Sequence, residues 1–170
     1  LPIGPEQVGP ISTVAYTAAD GLELDGILTL PPGREARNLP VVMLPHGGPH
    51  SYDEEAFDWW AQAFASRGYA VFQPNFRGSS GLGGAFVRAG WGEWGRKMQT
   101  DISDGLAALV RQAHPSWAPL RVKAAIANTA NADSAIVDYD PLRAGAGVIQ
   151  ANRAVATTVL ATTSDGTASF

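Results

Sequence analysis

Apolar and polar residues alternate from Leu22 to Leu30, which is the period of a β-strand with one buried face. A second strand is predicted from Thr13 to Ala18, and the Asp20-Gly21 pair between the two strands is typical of a hairpin turn. Pro31-Pro32-Gly33 then ends the alternation. The first part of the chain is therefore predicted to form a β-hairpin.

A strand-helix-strand unit is predicted next. The apolar run from Leu39 to Leu44 is typical of a strand covered on both faces. Asp53 to Arg67 is predicted to be a helix, with Ser51 and Glu54 forming a capping box at its start. Its predicted buried face consists of Phe57, Trp60, Ala61 and Phe64. A short apolar strand follows from Tyr69 to Gln73, and such a unit favours parallel pairing with a right-handed crossover.

The second half of the chain is predicted to be mainly helical. After a glycine-rich loop, Met98 to Ala113 has a helical apolar face, which Pro115 ends. Pro119 and the alanine-rich run after it favour a further helix. Two segments of the tail favour β-structure, Val148 to Gln150 and Thr158 to Thr162. The pattern as a whole predicts an α/β fold.

Composition narrows the classes of function. The 170 residues are 45% hydrophobic and 16% charged, which indicates a globular domain with a real core. The net charge of −4 gives no reason to expect nucleic acid or an anionic membrane as a partner. Cysteine is absent and the three histidines form no zinc-type pair, so we expect no metal and no cofactor. No apolar run is long enough to span a membrane.

The amino-terminal residues, Leu1 to Pro5, include neither an initiator methionine nor a signal-peptide pattern. We interpret the sequence as a fragment or a processed chain, and its cellular location is left unknown. Asp133, Asp138 and Asp140 lack the spacing of a calcium loop and are predicted to be solvated.

The candidate chemistry lies in His46-Gly47-Gly48, directly after the apolar run that ends at Leu44. A buried strand that leads into a glycine-rich loop is how an α/β-hydrolase presents the backbone N–H groups of its oxyanion hole. The alternative is a tight turn that needs glycine only for its conformation. On the first interpretation, His46, Gly47 and Gly48 are the remnant of an oxyanion site.

From Leu1 to about Val110 the chain resembles the catalytic domain of the prolyl oligopeptidase family, especially its dipeptidyl-peptidase and acylaminoacyl-peptidase members. The matching stretches are Asp20-Gly21-Leu22, Leu39 to Pro49, Ala65 to Val71, Pro74 to Ser79, Trp94-Gly95 and Met98 to Ile102. The resemblance implies a partial α/β-hydrolase sheet, a peptide or acyl-peptide substrate and a serine acyl-enzyme, with an oxyanion donor at the position of His46 in some members.

The tail resembles a second peptidase family, the subtilases. The stretches that carry this resemblance are Ala107 to Trp117, Val122 to Ile126, Asn128 to Ala130, Gly145 to Val148 and Ala154-Val155. The two resemblances overlap near Leu106 to Val110. We therefore predict a hybrid of two parts, an α/β-hydrolase part over residues 1–110 and a subtilase-like tail with a helix and β-leaning segments over 111–170.

The sequence lacks the Gly-x-Ser-x-Gly nucleophile elbow of the prolyl oligopeptidase family and the Asp and His that follow it there. In the subtilases the catalytic Asp, His and Ser all precede the region that the tail resembles, so none of them is present either. Two weaker nucleophile candidates are Ser80, in a near-match to the elbow, and Thr129, near the elbow's expected place. We accordingly predict a chain of serine-peptidase ancestry that has no complete triad and is inactive alone. The alternatives are a non-catalytic chimeric or remnant domain with a structural role, and a weak esterase with an improvised site.

The same reasoning predicts self-association. If Arg121 to Ala127 is helical, the strand from Leu39 to Leu44 lacks the neighbour that the hydrolase order would give it. An unpaired apolar edge favours pairing with another strand. We expect the chain to self-associate, as a dimer through this edge or as a larger aggregate, unless a β-leaning segment of the tail covers the edge.

Overall fold

The computed structural model describes residues 4–36, 39–130 and 151–157. Its centre is a four-stranded sheet in the order β1-β2-β4-β3. The strands are β1 (Ile11–Thr17), β2 (Glu23–Thr29), β3 (Val41–Met43) and β4 (Ala70–Asn75). β2 pairs with β1 and β4 in antiparallel fashion, whereas β3 pairs with β4 in parallel. The predicted hairpin and the predicted parallel pair are both present.

Five α-helices surround this sheet within the described residues, and a short 3₁₀ helix, Pro5–Gln7, precedes it. The helices are α1 (Trp59–Ala65), α2 (Gly84–Ala89), α3 (Lys97–Ala113), α4 (Pro119–Thr129) and α5 (Ala151–Ala156). The long helix α3 and the helix that begins at Pro119 agree with the sequence prediction. None of the described helices is long and apolar enough to cross a membrane.

The start of α1 differs from the prediction. The helix begins after Asp58, whose Oδ1 accepts a hydrogen bond from the Ala61 N–H at 2.7 Å, so no capping box forms at Ser51 and Glu54. The Ser51 carbonyl instead accepts a hydrogen bond from the Ser80 N–H at 2.9 Å. The backbone of Ser51 is therefore held by the turn after β4 and does not start a helix.

The predicted buried face of α1 is also partly wrong. Phe57 and Trp60 are 56% and 51% exposed. The buried residues of the helix are Ala61, Gln62 and Ala65. Gln62 is buried because its side-chain amide exchanges two hydrogen bonds with the backbone of Gly9, one in each direction. A polar residue thus shares the buried face with two alanines, whereas Phe57 and Trp60 are exposed.

Two apolar clusters form the core. The larger lies between the sheet and α3, and it includes Tyr16, Leu24, Phe72 and Leu109. The smaller joins α3 to the two later helices through Leu106, Val110, Val122, Ala125 and Ala154. Val41 and Met43 pack against both clusters. The helices α4 and α5 consequently pack on one side of α3 and β3, and within the described residues β3 has a strand neighbour on one side only, which is β4.

Part of the predicted tail lies outside the described residues. This applies to both β-leaning segments, residues 148–150 and 158–162, and to the three acidic positions at 133, 138 and 140. The region of the predicted join, Leu106 to Val110, lies within the uninterrupted helix α3.

Candidate active-site loop

The glycine-rich motif forms a loop, residues 46–53, at the carboxyl end of β3. The Leu44 N–H donates to the Phe72 carbonyl at 2.8 Å, which extends the β3–β4 pairing up to the loop. β4 ends at Asn75 and leads into a tight turn, residues 76–80. Because parallel strands end at the same edge of a sheet, the loop and the turn lie side by side there, where α/β folds commonly bind ligands.

Gly47 and Gly48 present their backbone to solvent. Both residues are exposed, and neither N–H donates a hydrogen bond to any residue that the structure describes. Gly48 has φ +133°, and a Cβ there would lie 2.9 Å from the backbone nitrogen of His50. A Cβ on Gly47 would meet nothing within 4 Å. The position that requires glycine for its conformation is therefore Gly48.

The imidazole of His46 lies over the turn after β4. Its Nε2 is 2.9 Å from the Oγ of Ser79, its Nδ1 is 3.0 Å from the Gly47 carbonyl oxygen, and its ring stacks on Phe76 with centroids 4.6 Å apart. Ser79 is fully buried, and its hydroxyl donates to the Phe76 carbonyl at 2.6 Å. The serine that meets an imidazole in this loop is thus Ser79, which the sequence did not single out, and it is inaccessible to a substrate.

The two weaker nucleophile candidates have other surroundings. Ser80 is half-buried, and its backbone N–H is bonded to the Ser51 carbonyl. Thr129 is the last residue of α4, where its Oγ1 donates to the Ala125 carbonyl at 2.7 Å. This back-bonding is ordinary for a threonine within a helix, so Thr129 is not on a strained strand-to-helix elbow.

His50 and Asn75 hold the far end of the loop. His50 Nδ1 lies 2.9 Å from the Gly78 carbonyl oxygen, which can only accept, so this nitrogen is the donor. Asn75 is fully buried and bonds both strand β2 and the loop: its Nδ2 donates to Asp25 Oδ1 and to the Asp53 carbonyl, and its Oδ1 accepts from the Asp53 N–H. The loop is therefore fixed at both ends by residues 75–80.

Asp53 carries the least satisfied carboxylate of the site. Its Oδ1 accepts from the Gln73 side chain at 3.2 Å, while its Oδ2 is buried without a hydrogen-bond partner. Burial raises the pKa of the Asp53 carboxyl above its ordinary value, and the nearby charge of His46 opposes this rise. Among the described residues no three His, Asp or Glu side chains converge as metal ligands would.

Beneath the turn lies a partly buried ion cluster that the sequence did not predict. Arg77, only 4% exposed, bonds the fully buried Asp101 and also the carboxylate of Asp20, which Lys97 contacts as well. Hydrogen bonds from Arg77 and Lys97 hold the pKa of Asp20 well below its usual range, and the two carboxylates raise that of Arg77. Asp20, Arg77 and Asp101 all lie in stretches that resemble the prolyl oligopeptidase family, and this was the signal available in the sequence.

The Tyr16 hydroxyl extends this cluster toward the sheet by donating to the backbone carbonyl of Asp101 at 3.2 Å. Burial, and then the Asp101 carboxylate, raise the pKa of Tyr16 above its ordinary range. The cluster thus joins the hairpin turn, the turn after β4 and the start of α3 into one support below the candidate loop.

A buried strand that leads into a glycine-rich loop with exposed amides is also how α/β-hydrolases build the oxyanion side of their sites. Comparison with known proteins agrees. Residues 55–117 match the model of the prolyl oligopeptidase family of peptidases. Dipeptidyl aminopeptidase BIII of Pseudoxanthomonas mexicana is 41% identical over 58% of this chain and 15% of its own length. The acylamino-acid-releasing enzyme of Sus scrofa is 30% identical over 55% of this chain and 13% of its own.

Solved structures give the same result. A puromycin hydrolase aligns with a TM-score of 0.59 and 30% identity over 65% of this chain and 18% of its own. The acylaminoacyl peptidase of Pyrococcus horikoshii aligns with a TM-score of 0.56 and 30% identity, over 64% of this chain and 17% of its own. These matches support serine-peptidase ancestry and an α/β-hydrolase fold for the matched part. The chain spans less than a fifth of the length of these relatives.

Proposed function

We propose that this chain supplies the oxyanion side of a serine peptidase of the prolyl oligopeptidase family, acting on peptide or acyl-peptide bonds. The observation that carries the proposal is the pair of exposed Gly47 and Gly48 amides at the carboxyl end of β3, with no acceptor among the described residues. Preorganised N–H donors of this kind stabilise the negative oxygen of a tetrahedral intermediate.

The proposal includes the absence of turnover by this chain alone. Acyl transfer needs an exposed nucleophile within hydrogen-bond reach of a base. His46 meets the buried Ser79, and His50 donates to the Gly78 carbonyl. His114 stacks on Trp117 and lies 2.8 Å from the Val155 carbonyl oxygen through its Nε2. Within the described residues, no imidazole is paired with an accessible serine or threonine.

A fluorophosphonate probe tests this function, because it labels activated serines only. We expect no labelling of the chain, and no hydrolysis of acylated or free-amine dipeptide anilides. Labelling of one serine that Ser80→Ala abolishes would overturn the proposal and assign the nucleophile to Ser80. Slow hydrolysis of an activated ester that depends on Gly48 but on no serine would support the improvised esterase.

We also propose that the tail over residues 111–170 is subtilase-like and that the chain is a chimera. The subtilase-like segment over 111–170, and with it the chimera, has two observations in its favour. The helix α4 begins at Pro119, and α3 continues unbroken through the predicted join. The residue resemblance in the tail carries this interpretation.

The second candidate function is structural. β3 has one strand neighbour among the described residues, and α4 and α5 pack near it without extending the sheet. A free strand edge is a template for pairing with another chain. A remnant domain that self-associates through β3 is therefore the alternative to a part of a peptidase.

A further inference from the structure

The hydroxyl of Ser79 determines the protonation of one nitrogen of His46. A serine hydroxyl has a single hydrogen. In Ser79 that hydrogen is directed to the Phe76 carbonyl oxygen, at 2.6 Å. Toward His46 Nε2, 2.9 Å away, the same oxygen can then only accept. The hydrogen of this second bond must therefore be on Nε2 of the imidazole.

We propose that His46 is a positioning residue, which holds the Gly47-Gly48 amides in place through an Nε2–H bond to the buried Ser79. Only the purpose of the ordered loop, the binding of an oxyanion by its amides, rests on the proposed function. The bond itself follows from the geometry. Ser79 is fully buried, so water does not compete for its oxygen, and the ring of Phe76 supports the imidazole from one face.

The proposal excludes two other roles for His46. With a hydrogen on Nε2, this nitrogen has no lone pair with which to remove a proton from a nucleophile. Nδ1 lies 3.0 Å from the Gly47 carbonyl oxygen, so this side of the ring also faces an acceptor. Neither nitrogen is directed to an oxyanion outside the loop. The backbone amides of Gly47 and Gly48 are the donors, and the imidazole orients them.

The assignment also explains two residues of the turn. Phe76 contributes twice, with its ring under His46 and its carbonyl oxygen as acceptor for Ser79. The Ser79 hydroxyl accepts a hydrogen bond from His46 of the loop and donates one to the Phe76 carbonyl of the turn. Ser80, its neighbour, contacts the loop through its backbone only and needs no particular side chain for that bond.

The test is nuclear magnetic resonance of the whole chain with ¹⁵N-labelled histidine and backbone. We expect the His46 spectrum to show the hydrogen on Nε2, with order parameters near 0.85 at Gly47 and Gly48. Ser79→Ala removes the acceptor, and we expect the order parameters of both glycines to fall toward about 0.6. Ser80→Ala is the matched control and should change neither readout.

A third variant separates a hydrogen-bond donor from an acid or base. His46→Gln places an amide N–H near the position of Nε2 but cannot titrate, so we expect it to keep the two glycines ordered, whereas His46→Ala should not. Val71 in the centre of β4 reports whether each variant remains folded.

Two results would overturn the proposal: a wild-type His46 with its hydrogen on Nδ1 alone, or a folded Ser79→Ala chain with unchanged glycine order. The fluorophosphonate and turnover assays on the same samples test the proposed function separately, because neither depends on where the His46 hydrogen resides.

Discussion

Arg77 donates three hydrogen bonds to the carboxylate of Asp101. The backbone N–H and Nε–H of Arg77 contact Oδ2 at 2.9 and 2.8 Å, and Nη2 contacts Oδ1 at 2.7 Å. Both side chains are at least 95% removed from solvent. The pair connects the turn after β4 to the first part of α3, and that turn is the support on which the candidate loop rests.

Arg77→Ala should lower the free energy of unfolding by about 3–5 kcal/mol, because it leaves the Asp101 charge buried and unpaired. The matched control is Lys97→Ala, which removes an exposed cation from Asp20 and should cost at most about 1 kcal/mol. Urea unfolding of the two variants measures the difference. Equal losses of unfolding free energy in the two variants would show that the buried pair stabilises the fold no more than the exposed one.

The pKa of Asp20 predicts an acid-dependent loss of stability. Hydrogen bonds lower the folded pKa of Asp20, the larger effect coming from Arg77 and the smaller from Lys97, whereas an unfolded aspartate has a pKa of about 3.9. The contribution is therefore fully present above the unfolded pKa and is lost as the pH falls below it. Asp20→Asn should remove this part of the pH dependence. Unfolding series over acidic pH, with the exposed Glu54→Gln as control, measure it; parallel curves for wild type and Asp20→Asn would contradict the prediction.

The contribution of Asp53 to stability is predicted to change with pH in the direction opposite to that of Asp20. Burial raises its folded pKa, so its ionised form is disfavoured in the folded chain, and stability falls as the pH rises through the unfolded and then the folded pKa. The stability of Asp53→Asn relative to wild type should therefore increase from acidic to neutral pH. Unfolding of both proteins at matched pH values measures how their stability difference changes with pH. This change does not depend on any constant effect of the new amide on stability. A difference that does not vary with pH would refute the pKa shift.

Gly48→Ala should destabilise the fold by about 1–3 kcal/mol, since its φ of +133° and the close His50 nitrogen leave no room for a side chain. Gly47→Ala adds a Cβ into open space and should change stability by about 0.5 kcal/mol or less. Thermal or urea unfolding compares them. A reversed order would mean that the loop adopts another backbone conformation.

The two outer strands of the sheet differ in how their free edges are protected. On β1, the Thr13 N–H and Oγ1 both donate to the Glu55 carboxylate, at 2.6 and 2.5 Å, which lowers the pKa of Glu55. On β3, Pro40 and Leu44 use their backbone groups toward β4, so the alternation of a strand directs those of Val41 and Met43 to the free side.

This difference predicts which edge self-associates. We expect light scattering to detect dimers or larger species at about 100 μM, a concentration at which unpaired edges aggregate. Val42→Lys, on β3 but in neither apolar cluster, should reduce this association. Ser12→Lys on β1 is the matched control and should not. A strictly monomeric wild type with slow amide exchange along β3 would favour an intramolecular cover instead.

Local sequence determined the elements whose signal is local. The alternation from Leu22 to Leu30 and the Asp20-Gly21 turn were sufficient for the hairpin, and the helical spacing before Pro115 was sufficient for α3. The glycine motif placed an exposed loop after a strand, because that motif is continuous in the chain. The parallel pairing of β3 with β4 followed from the strand-helix-strand order.

Tertiary structure decided whatever depends on groups that are distant in sequence. α1 starts late because Asn75 holds the backbone of Asp53, a bond across 22 positions that no helical pattern contains. Likewise, only folding brings Ser79 to His46, 33 residues away, so the sequence indicated Ser80 and missed its neighbour. Arg77, Asp20 and Asp101 were visible as three separate charges. They form a single support because folding brings both carboxylates to Arg77, and burial excludes the water that would otherwise solvate Arg77 and Asp101.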